Sequence, residues 1–480
     1  MQLEIATGFY QSDSLPLAAQ RCINWIPVIA EQGALNQRAL FDVRGAVSLT
    51  LTGDAITGQN RGGINLNGVP YFVNGLSLYS ISSTNVVTNH GQIQGQGRCS
   101  MAISSRYLVI VDPGNKGYVL DSNDSSLTQI TDTNWIVSDT VSFKDGYFIF
   151  TSSDGKVFFV SGLNDPFSYN ALDFGSADVR PDEIVATHVN HNQLFVAGTE
   201  TIELFQNIGG VGFPFLRVPG GNIQKGVYAR DSLIDFDNSF VFIGGDVGEL
   251  AAIWKVKGGA SVVKISTSAI DNAIQEFTED EISDAFAMVY AFGGNFFVSF
   301  TFVSSRIPSK TFVYDATTSA LTGQSTWHER QSGVVDDRWR ITSIVDAYGK
   351  LLVGDSFDGR IGSLEKDVYT EYGEVIFRQK VSKPFSADQK AVFAGTISLT
   401  MESGTGTISG KSPQIMMDFS DNGARTFSNG FWRSYGKIGQ YQSYPQWRRQ
   451  GRIPHNRVLR FTTTEAVKST LIRLDADIAA

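Results

Sequence analysis

The chain of 480 residues has only two cysteines, Cys22 and Cys99. Two thiols 77 positions apart cannot build a disulfide framework or a thiolate metal site, so folding in a reducing cytoplasm is expected. Proline is scarce at 13 residues, which excludes collagen-like and proline-rich linker classes. Charged residues make up 18%, below the usual quarter, while 42% hydrophobic content excludes a disordered chain and suffices for large cores. No apolar run approaches the ~18 residues of a membrane span. The opening MQLEIATGFYQSDS lacks a basic stretch followed by an apolar core, so neither signal-directed export nor membrane insertion is expected.

Catalytic patterns are missing as well. The five histidines, His90, His188, His191, His328 and His455, are scattered, and only His188 and His191 are close, at a spacing that suits a helix better than a strand. No metal site and no cofactor are predicted. There is no G-x-S-x-G, no H-E-x-x-H and no phosphate loop ending in Lys-Ser/Thr. Paired carboxylates for glycoside hydrolysis cannot be picked out, because the separation they need is spatial. The expectation is a protein that is not an enzyme.

What is abundant is glycine, at 48 residues, with 33 phenylalanines and 16 tyrosines. That is the composition of aromatic strands and tight turns. A hairpin unit, consisting of a polar turn, an apolar-aromatic strand, a second turn and another strand, recurs seven times. The copies begin at Asn67, Ser104, Lys144, Asn190, Phe236, Phe292 and Ala347, with spacings between 36 and 56 residues at matched positions. A further strand precedes most copies, as in CSMAIS from Cys99, DTVSF from Asp139, IVATHV from Ile184 and ITSIVDAY from Ile341. A weaker one often follows, as at Leu127 and Ser261. Four strands per unit is the blade of a β-propeller, in which each sheet buries both faces against its neighbours. The alternative is a series of stacked sandwiches without circular closure.

The reading is therefore all-β: an N-terminal arm and first strands over residues 1–54, a propeller of about seven blades over 55–374, and a basic, sandwich-like β domain over 375–480. The Gly-rich Ile208 to Asn222 reads as an inter-blade loop. One helix, Ser266 to Phe286, is expected between blades five and six. Ile270, Ile274 and Phe277 share one face of it, and Thr278 with Glu281 has capping-box spacing. This insertion near 266–287 is either a contact for another subunit or a lid packed on its own propeller.

Net charge is −9, which argues against a dedicated nucleic-acid binder. The charge is uneven. From Val375 onward there are 15 Lys and Arg against 7 Asp and Glu, leaving 24 against 41 for residues 1–374. The basic residues concentrate where Arg433, Lys437, Arg448, Arg449, Arg452, Arg457 and Arg460 interleave with Trp432, Tyr435, Tyr441, Tyr444 and Trp447. Arginine among aromatics is the composition of a protein interface, with Trp447, Arg448, Arg449, Arg452 and Arg457 as its candidate residues. A solvated strand face and a single-stranded nucleic-acid platform are the alternatives. Nearby, Ser420, Asn422, Ala424, Thr426 and Phe427 match the spacing of an Asp-box turn with its Asp, Gly and Trp replaced. Such a turn is a structural signature.

Taken in order, several stretches carry a resemblance. They are GFYQSDSLPLAAQRCINWIPVIAEQGALNQRALFDVRG, TETIELFQN, IQKGVY, ISTSAIDNAIQEFTEDE, KTFVYDATTSA with the Trp327 that follows, and WRRQGRIPHNRVLRFTTT. Over nearly its whole length the chain resembles the tail hub or nozzle proteins, also called packaged DNA stabilisation proteins, of short-tailed double-stranded DNA bacteriophages. The resemblance implies a structural virion protein made in the host cytoplasm and assembled as a homo-hexamer below the portal and its adaptor. Tailspikes or fibres would attach outside and, in many members, a needle or plug below, with double-stranded DNA retained and then conducted through the lumen. It supplies no catalytic residue. Carboxylates facing such a lumen would let DNA slide, and the basic C-terminal region would dock on an acidic surface of the adaptor or of a neighbouring subunit. The competing class is a glycan-binding or glycan-hydrolysing propeller used in host adsorption, which repeated Asp boxes would favour.

Overall fold

The computed structural model describes the chain except residues 31, 178–179, 181, 210–211, 259, 387–390, 407–409 and 480. Gly210 and Val211 of the expected inter-blade loop, and Lys390, which opens the period-two stretch KAVFAGTISLTMES expected as a strand of the C-terminal domain, lie outside the described residues.

Each hairpin repeat forms the middle of a small antiparallel sheet. Blade two is the plainest case, with Ser100–Ile103, Tyr107–Val111, Gly117–Asp121 and Ser126–Gln129 paired in chain order. Blades three and four repeat the pattern, beginning with Ser138–Lys144 and Ile184–Asn190. The strand expected ahead of each hairpin is the innermost one. Left-handed Asn-Gly and Asp-Gly turns make the hairpins tight: Asn67 (φ 53°) with Gly68 (φ 86°) in blade one, Asp145 (φ 51°) with Gly146 (φ 87°) in blade three.

Period-two alternation then builds the ring, because both faces of every sheet are apolar. In blade two, Leu108 and Ile110 pack against Tyr71 and Val73 of blade one. Val109 and Val111, on the other face, pack against Phe148 and Phe150 of blade three. The series continues through blades three and four, four and five, five and six, and six and seven. Phe72, Tyr79 and Ile81 of blade one finally meet Val345, Leu352 and Ile361 of blade seven. Every neighbouring pair shares a core, so the ring is closed with seven blades and the stacked-sandwich alternative is excluded.

The N-terminal segment closes this ring. Gly45–Ser48 is hydrogen-bonded to Ile361–Glu365 of blade seven, with Thr370–Glu371 on its other side. Further upstream, Cys22–Ile23 lies beside Thr326–Arg330, the outer strand of blade six, and beside Arg378–Val381. One nine-stranded sheet thus runs from blade six through Arg378–Val381, Val458–Thr463 and Gln414–Ser420 to Phe431–Ser434. Its C-terminal half is one layer of a sandwich. The second layer runs Gln446–Ile453, Val392–Met401, Leu471–Ala479, Arg38–Asp42, Trp25–Ile29. Between them lies a core that includes Trp25, Leu40, Ile397, Met417, Trp447, Phe461 and Leu471.

The expected single helix is two short ones, Ser268–Ile274 and Glu279–Ser283, and Phe286 already belongs to the first strand of blade six. The capping box is present, with Thr278 accepting from the Glu281 amide and Glu281 from the Thr278 amide. It starts the second helix, and its extended N-cap residue interrupts the first. Ile270, Ile274, Phe277 and Ile282 are buried against Phe302, Phe312 and Trp327, so the apolar face of this insertion covers its own propeller. A third helix, Ala316–Thr322, capped by Asp315 and ended by Gly323 (φ 67°), was not expected.

Candidate interface at the sandwich edge

The basic segment forms the free end of the sandwich. Gln446–Ile453 is the edge strand of one layer and Phe431–Ser434 of the other. The two edges are tied together: Trp447 Nε1 donates to Phe431 O at 2.8 Å and Arg433 Nε to Gln446 O at 3.0 Å. Pairing with the neighbouring strand is irregular between Ala394 and Thr396, and Arg449 there has a φ of 58°. A bulge of this kind breaks strict alternation and turns consecutive side chains outward. Arg448, Arg449 and Arg452 are accordingly all exposed, and none has a carboxylate partner among the described residues. Around them Trp432 (48% exposed), Tyr441 (74%) and Tyr444 (52%) also face solvent.

Two of the five candidate residues are not on this surface. Trp447 is fully buried, its ring 5.6 Å from that of Phe461 in the sandwich core. Arg457 is buried too. Its guanidinium grips Asp421 with two bonds of 2.6 and 2.7 Å, lies 3.8 Å from the Phe419 ring centroid, and donates to the carbonyls of Gln450 and Arg452. It is an internal strut that fixes the exposed strand from beneath. The signal missed in sequence was Asp421, 36 positions away, since nothing local pairs the two.

The near-match to an Asp box folds as one. Ser420 Oγ accepts from the Ala424 amide at 2.9 Å, and Asn422 Oδ1 from the Thr426 amide at 3.1 Å. It stabilises a turn of the sandwich.

A second group, invisible in the sequence, joins the N-terminal segment to both domains. Asn24, fully buried at a φ of 54°, donates to Gln331 O and Phe377 O, both at 2.8 Å, and accepts from the Gln331 amide. Arg21 forms a two-pronged pair with Glu329. Lys380 Nζ donates to Thr7 O at 2.6 Å and Thr7 Oγ1 at 2.9 Å, and burial pushes its amine down to about 8. Burial likewise pushes the Cys22 thiol up to about 11 and that of Cys99 to about 12, so neither is a reactive thiolate.

The axis of the propeller holds a cavity of about 430 Å³, lined by inner-strand residues such as Gly62, Ser100, Thr140, Thr187 and His188. Arg98 reaches across one end of it, donating to Thr342 O at 2.6 Å with its guanidinium 4.5 Å from the Phe286 ring centroid. Arg230 pairs with Asp139 there at 3.5 Å. His188 contacts Asp235, and His191 contacts Asn190 and Asn238. Among the described residues no group of three or more His, Cys, Asp or Glu side chains could hold a metal ion.

Fold and surface together define a class: a closed seven-bladed propeller sealed by its N-terminal segment, running through blade six into a β-sandwich. Comparison with known families agrees along the chain. The family described as the β-propeller of bacteriophage P22 Gp10 matches residues 1–369, and that described as the β-sandwich of the same protein matches 378–479. The chain belongs to this P22 Gp10 family of bacteriophage tail proteins. It is similar to the tail hub protein gp10 of Salmonella phage P22, with 22% identity over 332 residues that cover 66% of this chain and 67% of that protein. Among solved structures it is similar to the computationally designed protein Ika8 (TM-score 0.38, 13% identity, 72% of this chain and 100% of that one). It is also similar to the N-terminal domain of Nup159 (TM-score 0.41, 10% identity, 70% and 97%).

Proposed function

We propose that the chain is a structural subunit of a tail hub, a ring of six copies below the portal and adaptor that retains the packaged genome and conducts DNA at ejection. Tailspikes or fibres would dock on its outside and a needle or plug below it. The observation that carries this reading beyond family membership is the propeller axis. The axis of a single propeller is lined by its inner strands and crossed by Arg98, so the reading puts the DNA conduit between copies. The carboxylate surplus of residues 1–374 suits a lumen that must not hold phosphates. The exposed Arg448, Arg449 and Arg452 suit a docking surface, and buried free cysteines suit folding in the host cytoplasm.

The test is the mass of the purified protein in solution, with and without capsids that carry the adaptor but lack this protein, followed by imaging of the vertex. A sixfold ring at the vertex is expected. A protein that never joins the vertex, yet binds or trims host polysaccharide, would overturn the reading in favour of adsorption.

A further inference from the structure

The sandwich ends in two adjacent open strand edges, and open edges are surfaces that other chains occupy unless something blocks them. Here the edge is one-signed. No carboxylate occurs between Asp421 and Glu465, a stretch that carries Arg433, Lys437, Arg448, Arg449 and Arg452. Exposed Trp432, Ile438, Tyr441 and Tyr444 lie among these cations. Aromatic and aliphatic groups within a cationic surface call for a partner that is both anionic and apolar.

Such a surface exists on the same molecule. In the helical insertion, Glu276, Glu279, Asp280 and Asp284 are exposed, while Glu281 is engaged by Ser304 and Arg306. Beside it runs the loop of blade five in which Val247 (62% exposed) and Leu250 (63%) stand out to solvent, with Glu249 paired to Lys225 and Asp246 3.6 Å from Arg180. Tyr228 braces this loop, donating to Asp246 O and Glu249 O at 3.1 Å. Burial, and after it the carboxylates of Glu249, Asp246, Glu200 and Glu279, raise its phenol above the ordinary value.

Within one chain the two surfaces belong to different domains, the edge to the sandwich and the insertion to the propeller. The Phe431–Ser434 edge lies four strand spacings, about 19 Å, beyond Cys22–Ile23 at the rim of blade six. The insertion is packed into the core between blades five and six. We propose that the basic aromatic edge of one copy docks on the acidic insertion and blade-five loop of a second copy. The contact joins two different patches, so it is head-to-tail, and repetition of such a contact gives a ring where the rotation closes. The inference rests on the ring reading above and supplies its subunit contact.

Two variants test it: Arg448→Glu with Arg449→Glu and Arg452→Glu at the edge, and Glu276→Lys with Asp280→Lys and Asp284→Lys on the insertion. All six positions are exposed, and circular dichroism checks that each variant folds. Association is measured in concentrated solution and on adaptor-bearing capsids that lack this protein. Each variant alone is expected to lose at least about a hundredfold in association, because like charges now face each other. A one-to-one mixture is expected to recover wild-type assembly. In alternating copies the glutamate edge meets the lysine insertion, and the arginine edge meets the native carboxylates. Wild-type assembly by either variant alone, or failure of the mixture to recover, overturns the contact. Loss of binding to a single-stranded or duplex DNA oligonucleotide by the edge variant, with assembly intact, would instead assign the edge to nucleic acid. Failure of the wild-type protein to form a ring in either setting sinks the hub reading itself.

Discussion

Blades two to four and blades six and seven share one architecture but are completed by different means. The first three take all four strands from one continuous stretch, each paired to the next in chain order. Blade seven receives Gly45–Ser48 from more than 300 positions upstream, and blade six has Cys22–Ile23 laid along its outer strand. The interiors differ accordingly. The core between blades two and three is aliphatic and aromatic, led by valine and phenylalanine, whereas His328, Glu329, Arg330, Glu371, Arg378 and Lys380 are all buried where the N-terminal segment enters. Local hairpins close through short-range pairing. Distant strands must be held in register, and buried hydrogen-bonded polar groups do that by penalising any other placement.

The sharpest way to break the comparison is at Gly45. A Cβ there would fall inside contact distance of Thr370 O and 2.7 Å from Val368 O, backbone atoms of the Thr370–Glu371 strand and of the loop just before it, beside which Gly45 must pass. Gly45→Ala is expected to destabilise by about 3 kcal/mol or more, by forcing the closing strand off its partners. Urea denaturation measures the loss. Hydrogen exchange should show protection falling first at Ile361–Glu365 while Tyr107–Val111 stays protected.

Acid should open the same junction. His328 is fully buried, neither ring nitrogen has a hydrogen-bond partner among the described residues, and burial followed by the neighbouring Arg330 pushes it down to about 3. The unfolded chain takes up this proton near pH 6.5, while the folded chain resists it. Stability is therefore full above about pH 6.5 and is lost as the pH falls toward 3, by about 3 kcal/mol between pH 7 and pH 4. His328→Leu, which keeps an apolar side chain of similar size, is expected to flatten that limb in urea titrations at the two pH values. An unchanged slope would mean that the ring is not neutral in the fold.

These differences follow what could be read beforehand. Asn67-Gly68, Asp145-Gly146 and the alternating aromatics announce hairpins within a window of about 15 residues, so the repeat, the innermost strands and the closed ring were legible. Strands of two to five residues such as Cys22–Ile23, Gly45–Ser48 and Trp25–Ile29 are too short for any period to register. Residues 1–54 therefore read as an arm with first strands, although they contribute to five sheets. At the basic edge, composition located the surface, but the bulge at Arg449 and the Arg457–Asp421 pair decided which residues face outward. The split helix was misjudged for a related reason: Thr278 was seen as a cap, and a cap marks a beginning.

The mildest test sharpens the contrast by making the same substitution in a locally closed blade. Gly68 sits at the tip of the first hairpin at a φ of 86°, and nothing lies within 4 Å of a Cβ added there. Gly68→Ala therefore meets no steric obstacle, and its cost is conformational alone, about 1 kcal/mol for holding alanine in the left-handed region. The comparison with Gly45→Ala sets a conformational cost at an open turn against a steric one at the closing strand. Equal losses at the two sites would show that the blade-seven pairing yields to a Cβ as readily as open solvent does. The N-terminal strand would then be an ornament on an already closed ring.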